Sequence, residues 1–192
     1  MQNLDKGDIK MSNILTLATQ RNLKPKIEDV IPHFLDNEEL KTALNFIAHL
    51  RASKMNPRWA GVHNTWNCNY KGKVICYIRL GAMWLGKADN VKWEISPNLI
   101  HIKAYESEII DENMQNYIWD GLAPYCRSCI NTNGLARECA PGTNRTILGR
   151  DFIGLCNGMF LSGRHPISFV NPDELALNCI KRLLELEKQA RT

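Results

Sequence analysis

The spacing of hydrophobic residues changes along the chain, and each change marks an element. Residues 1–24 show no sustained period and read as a leader, with Ile14–Leu17 able to add a short edge strand. Pro25 opens a short helix that places Ile27, Val30 and Ile31 on one face and stops near Pro32. A longer helix follows. Leu40, Ala43, Leu44, Ile47 and Leu50 make an apolar stripe at helical spacing, Asp36 or Asn37 caps it with Glu39 in the reciprocal position, and Asn56-Pro57 ends it at the latest.

From Gly61 the period becomes two. Val62, Trp66, Cys68 and Tyr70 alternate with His63, Thr65, Asn67 and Asn69, as in a strand with one covered face. Lys71-Gly72 makes a tight turn, because glycine accepts the positive φ that a two-residue hairpin loop requires. Val74, Cys76, Ile78 and Leu80 face inward on the return strand, Val91, Trp93 and Ile95 on a third, and Leu99–Lys103 is read as a fourth. A helix over 106–119 buries Ile110, Met114, Tyr117 and Ile118, and a last helix, capped at Asn171 with Pro172 at its first position, runs to about Ala190. Val170 packs on Leu175 as its staple, and Cys179 lies in its apolar stripe.

The fold class that follows is α+β: an antiparallel sheet of three to four strands with helices on one face, a Cys-rich irregular extension and a C-terminal helix. One domain spans 1–192, divided into the leader 1–24, an α+β unit 25–120, a Cys-rich segment 121–170 and the helix 171–190. The run Trp-Asn-Cys-Asn-Tyr-Lys-Gly-Lys-Val-Ile-Cys-Tyr-Ile-Arg-Leu at Trp66–Leu80, preceded by a helix, resembles the small bacterial α+β domains of the YdhG/YjbR-like class over residues 36–119. That resemblance implies architecture alone and brings no catalytic residue with it.

Composition narrows the partners. The net charge is +4, too small to point to nucleic acid or a membrane surface. Most of it sits in residues 121–170, where Arg127, Arg137, Arg145, Arg150 and Arg164 face only Glu138 and Asp151. These arginines suit contacts to an anion, or they offset a negatively charged metal site. Lacking aromatic interleaving, they do not favour nucleic acid. No secretory signal or transmembrane run is recognised, so a cytoplasmic setting with reduced thiols is expected for the seven cysteines.

Four of those cysteines carry the chemical expectation. Cys126, Cys129, Cys139 and Cys156 supply a CxxC pair and two further donors from turns, a set that suits one tetrahedral zinc. A metal would also rigidify about 45 residues of glycine-rich chain with no regular period. An iron–sulfur cluster or a redox dithiol uses the same sulfurs, and plain buried thiols are the alternative.

A second candidate is a pocket formed by Trp59, Tyr77 and Trp84 with the polar residues His63, Asn67, Arg79 and Glu94, the bland alternative being sheet packing. Within it His63 and Glu94 are possible cross-strand partners in acid–base work. The leading functional expectation is a zinc-stabilised binding module for an unknown protein or a small anionic ligand. The competing one is a metal- or thiol-dependent enzyme with a cleft between the sheet and the Cys-rich loop.

Overall fold

The computed structural model describes residues 16–81, 91–122, 143–155 and 167–191. Its elements are α1 (Leu17–Leu23), α2 (Ile27–Val30) running into a 3₁₀ turn (Ile31–His33), α3 (Asn37–Ala52), β1 (Asn56–Trp59), β2 (Thr65–Tyr70), β3 (Lys73–Leu80), β4 (Trp93–Pro97), α4 (Glu112–Gly121), β5 (Thr143–Ile147), β6 (Arg150–Leu155), β7 (Phe169–Val170) and α5 (Glu174–Ala190). Five strands form one antiparallel sheet in the order β1-β2-β3-β4-β7, and β5-β6 form a separate hairpin. The α+β class stands, with more strands than the periodicity shows.

The meander arises where alternation predicts it. Lys71 and Gly72 take φ of 46° and 77° and close the β2–β3 turn, the mirror-image geometry that matches strand twist. Cross-strand register then lines up Trp66, Ile78, Ile95 and Phe169 on one face. These side chains are buried with Phe46, Ile47 and Leu50 of α3 and Ile180, Leu183 and Leu184 of α5. Phe46 meets Trp93 edge to face, with ring centroids 6.4 Å apart. Each large apolar side chain so buried contributes about 1.5–3 kcal/mol, and the Trp66 indole also donates to Pro25 O at 3.0 Å.

Helix α3 stops at Ala52, within the limit set by Asn56-Pro57, and that pair opens an edge strand, where proline's missing N–H costs no ladder bond. Several expectations are corrected. Leu99–Lys103 is not a strand; it leads into a 3₁₀ turn at Ile102–Ala104. Leu17 lies in a helix, while residues 1–15 fall outside the described chain. Asp111 caps α4 by accepting from Met114 N at 2.9 Å, so Ile110 precedes the helix and stays 82% exposed. Asp173 caps α5, accepting from Ala176 N at 2.7 Å. Asn171 instead turns its Oδ1 to Lys92 N and Trp93 N and closes the end of β4. The expected staple is absent as well: Val170 and Leu175 are both exposed.

The segment expected to be irregular contains a hairpin. Leu148 and Gly149 adopt φ of 50° and 75° between β5 and β6. Leu148 is buried and its N–H donates to Glu106 Oε1 at 2.8 Å, while the Trp119 indole donates to Ile147 O at 2.9 Å. The described part of this segment is therefore held by its own ladder and by side-chain hydrogen bonds, and the loop-length case for a metal does not apply to it. No helix of the described residues is long and apolar enough to cross a membrane.

Candidate functional site

The face of the sheet that carries no core stripe has its own polar pattern. Alternation on β2, β3 and β4 puts Thr65, Asn67, Tyr77, Arg79, Glu94 and Ser96 on that side, with Thr65 opposite Arg79, Asn67 opposite Tyr77, Arg79 opposite Glu94, and Tyr77 opposite Ser96. Ser168, just before β7, joins them from a segment more than 70 residues away in sequence.

Three donors converge on a single carboxylate oxygen. Glu94 Oε1 accepts from Arg79 Nη1 at 3.2 Å, from Ser96 Oγ at 3.1 Å and from Ser168 Oγ in a short hydrogen bond. Arg79 Nη1 also reaches Ser96 Oγ at 3.2 Å, and its guanidinium lies 5.9 Å from the centre of the Tyr77 ring. Glu94 is nearly buried, with 9% of its side chain exposed against 23% for Arg79. Among the described residues no hydrogen bond reaches Oε2. Such convergence fixes the carboxylate's orientation, because rotating it would break three charge-assisted bonds together.

Ser168 is placed by a close backbone approach. Its N–H donates to Gly121 O at 2.7 Å, and a Cβ at Gly121 would sit 3.2 Å from Ile167 Cγ2 and 3.3 Å from Ser168 O. Glycine at the end of α4 thus lets the chain before β7 come near enough to deliver the serine hydroxyl.

The residues expected to line a pocket are divided between several places. Asn67, Tyr77, Arg79 and Glu94 share the polar face. Trp59 pairs with Trp66 on the opposite face, where its indole donates to the buried Gln20 at 3.3 Å. His63 lies in the turn before β2, its carbonyl accepting from Thr65 Oγ1 at 2.9 Å; the cross-strand partner of Glu94 is Arg79 instead. Trp84 lies outside the described residues. Ser96 was legible as the next residue of Glu94's parity, whereas nothing local announces Ser168.

A second polar cluster was not anticipated. Glu187, with no exposure, accepts from His101 N at 3.1 Å, His101 Nδ1 at 2.9 Å, the Tyr105 hydroxyl at 2.8 Å and Arg191 Nε at 2.8 Å. A carboxylate only accepts, so His101 Nδ1 carries the proton. Arg191 continues to Val74 O at 2.9 Å and Asn98 O at 2.7 Å, tying the end of α5 to the ends of β3 and β4. Burial, and then the Glu187 carboxylate, push the Tyr105 phenol well above its ordinary range and keep it a donor.

The metal expectation is corrected. Among the described residues no group of three or more His, Cys, Asp or Glu is placed to hold an ion. Cys126, Cys129, Cys139 and Cys156 lie outside the described residues, as do Arg127, Arg137 and Arg164. Neither zinc nor an iron–sulfur cluster is supported, and the zinc-stabilised module and the metal- or thiol-dependent enzyme are set aside with them. Arg145 belongs to β5, and Arg150 places its guanidinium 5.5 Å from the Trp119 ring and 5.6 Å from that of Phe152. These are cation–π contacts that pack the hairpin.

No family model matches the chain, and neither the curated proteins nor the solved structures searched gave a match. The resemblance to YdhG/YjbR-like domains gains no support from them, and the reading rests on the site's own geometry.

Proposed function

We propose that the polar face of the sheet recognises a small ligand through a hydrogen-bond donor, with Glu94 as its receptor. One observation carries this: Arg79 of β3, Ser96 of β4 and Ser168 from the segment before β7 aim donors at Oε1 of a nearly buried carboxylate, while among the described residues Oε2 receives none. The orientation is set before any ligand arrives, so little ordering remains to oppose binding. Because Arg79 already balances the charge of Glu94, the preferred group is an N–H or O–H donor, neutral or cationic, and a ligand offering only acceptors is disfavoured. Asn67 and Tyr77, two residues along the same face, are placed to contact the rest of such a ligand.

The test uses three ligands that share a ring and differ in donors: benzamidine, benzamide and benzoate. In amide NMR titrations, benzamidine and benzamide are expected to shift the resonances of residues 77–79, 94–96 and 168, with benzoate leaving them in place. E94Q should weaken benzamidine binding at least tenfold, about 1.4 kcal/mol. Equal shifts from benzoate, or shifts confined to other parts of the chain, would reject the assignment.

A further inference from the structure

Two thiols face each other inside the sheet. Cys68 of β2 and Cys76 of β3 are direct cross-strand partners, both wholly buried and both unbridged. Leu80 N–H donates to Asn64 O at 2.9 Å, and the alternation of an antiparallel ladder carries that hydrogen-bonded character to the Cys68–Cys76 position. At such a position the Cα atoms stand about 5.5 Å apart, inside the range of roughly 4.4–6.8 Å that a disulfide spans. The Cβ atoms must still close by about 1 Å, from roughly 5 Å to roughly 4 Å.

The ladder has slack where that movement is needed. Register passes from Cys68–Cys76 to Asn69–Val74, leaving Ile75 as an extra residue on β3. A bulge of this kind interrupts the ladder and lets the strand bend locally. The Cys76 thiol donates to Tyr77 O at 3.5 Å, and burial first, then the neighbouring Cys68, raise it well above its ordinary range. A sealed, protonated thiol is a slow nucleophile, so reaction proceeds through opening of the β2–β3 hairpin.

We infer that Cys68 and Cys76 form a latent dithiol that a small peroxide converts to an intramolecular disulfide joining β2 to β3. The first sulfur attacks hydrogen peroxide; the O–O bond breaks, water leaves and a sulfenic acid forms. The second thiol then displaces its hydroxyl, the S–S bond forms, and a second water carries away the remaining proton. Two electrons pass from the two sulfurs to the peroxide.

Lys71 and Lys73 lie between the two cysteines, so trypsin separates them onto peptides 59–71 and 74–79. The full chain is treated with hydrogen peroxide under native conditions, quenched in acid, alkylated and digested without reductant. Mass spectrometry is expected to find these two peptides cross-linked, to lose the link on reduction, and to find none in C76S. The inference is overturned if Cys68 and Cys76 are recovered alkylated at peroxide levels that oxidise Cys179, if either links to another cysteine instead, or if the link forms only in urea.

Discussion

Glu187 and Glu94 are both nearly or wholly removed from water, both accept from an arginine, and both join segments distant in sequence. They differ in how their oxygens are used. At Glu187 each oxygen accepts two hydrogen bonds, one pair from His101 Nδ1 and Arg191 and the other from His101 N and Tyr105. At Glu94 all three donors crowd onto one oxygen. A buried carboxylate with every acceptor site filled has no capacity left to recognise anything, and its role is to hold chain segments together. One that is fixed on one side and, among the described residues, unfilled on the other suits the ligand-receiving role proposed for it.

Mutations should separate the two roles. Glu187→Ala leaves the almost fully buried Arg191 without its anion, and a loss of about 3–5 kcal/mol is expected, measurable as a shift of the urea midpoint; a loss below about 1 kcal/mol would make this pair no better than a surface one. Tyr105→Phe removes one of four donors while His101 N–H still serves the same oxygen, so a smaller loss of about 1–2 kcal/mol is expected. E94Q keeps an acceptor at the same place and should cost roughly 1 kcal/mol in stability even as benzamidine binding falls.

The smallest effect is a pH dependence elsewhere in the molecule. Burial, and then Lys181, lower the pKa of His49 on α3 below its ordinary 6.5, with Lys188 adding to the effect and Glu185 opposing it. The unfolded chain then binds a proton more readily than the folded one. Stability attached to this group is therefore complete above pH 6.5 and declines as pH falls through that value. His49→Gln should flatten the slope of urea midpoint against pH between 5 and 7, the interval in which an ordinary histidine changes charge; an unchanged slope would remove His49 from the account.

What the sequence revealed depended on how local the deciding contact was. The Lys71-Gly72 turn and the alternation through Trp66, Ile78 and Ile95 are set by neighbouring residues, so the meander and its covered face were legible. The polar parity of Tyr77, Arg79 and Glu94 came with them. The β5–β6 hairpin was not legible: its turn puts Leu148 at positive φ, which leucine seldom adopts alone, and burial of Leu148 with a bond to Glu106 stabilises it from outside the segment. Ser168 and the Glu187 cluster were hidden for the same reason, since their partners lie 74 and 86 residues away. Asn171 shows the limit of capping rules, as a residue well suited to a helix start serves the end of a strand when Asp173 stands nearer.

The account turns on Glu94 being the receiving group of the polar sheet face. The most direct measurement is a benzamidine titration of wild type and E94Q side by side, followed at the amides of residues 77–79, 94–96 and 168, with urea midpoints recorded on the same samples. The account predicts saturable shifts in wild type, binding at least tenfold weaker in E94Q, and a stability difference of roughly 1 kcal/mol between them. Unchanged binding in a folded E94Q, or a wild type that shows no saturable shift at these residues, would contradict it.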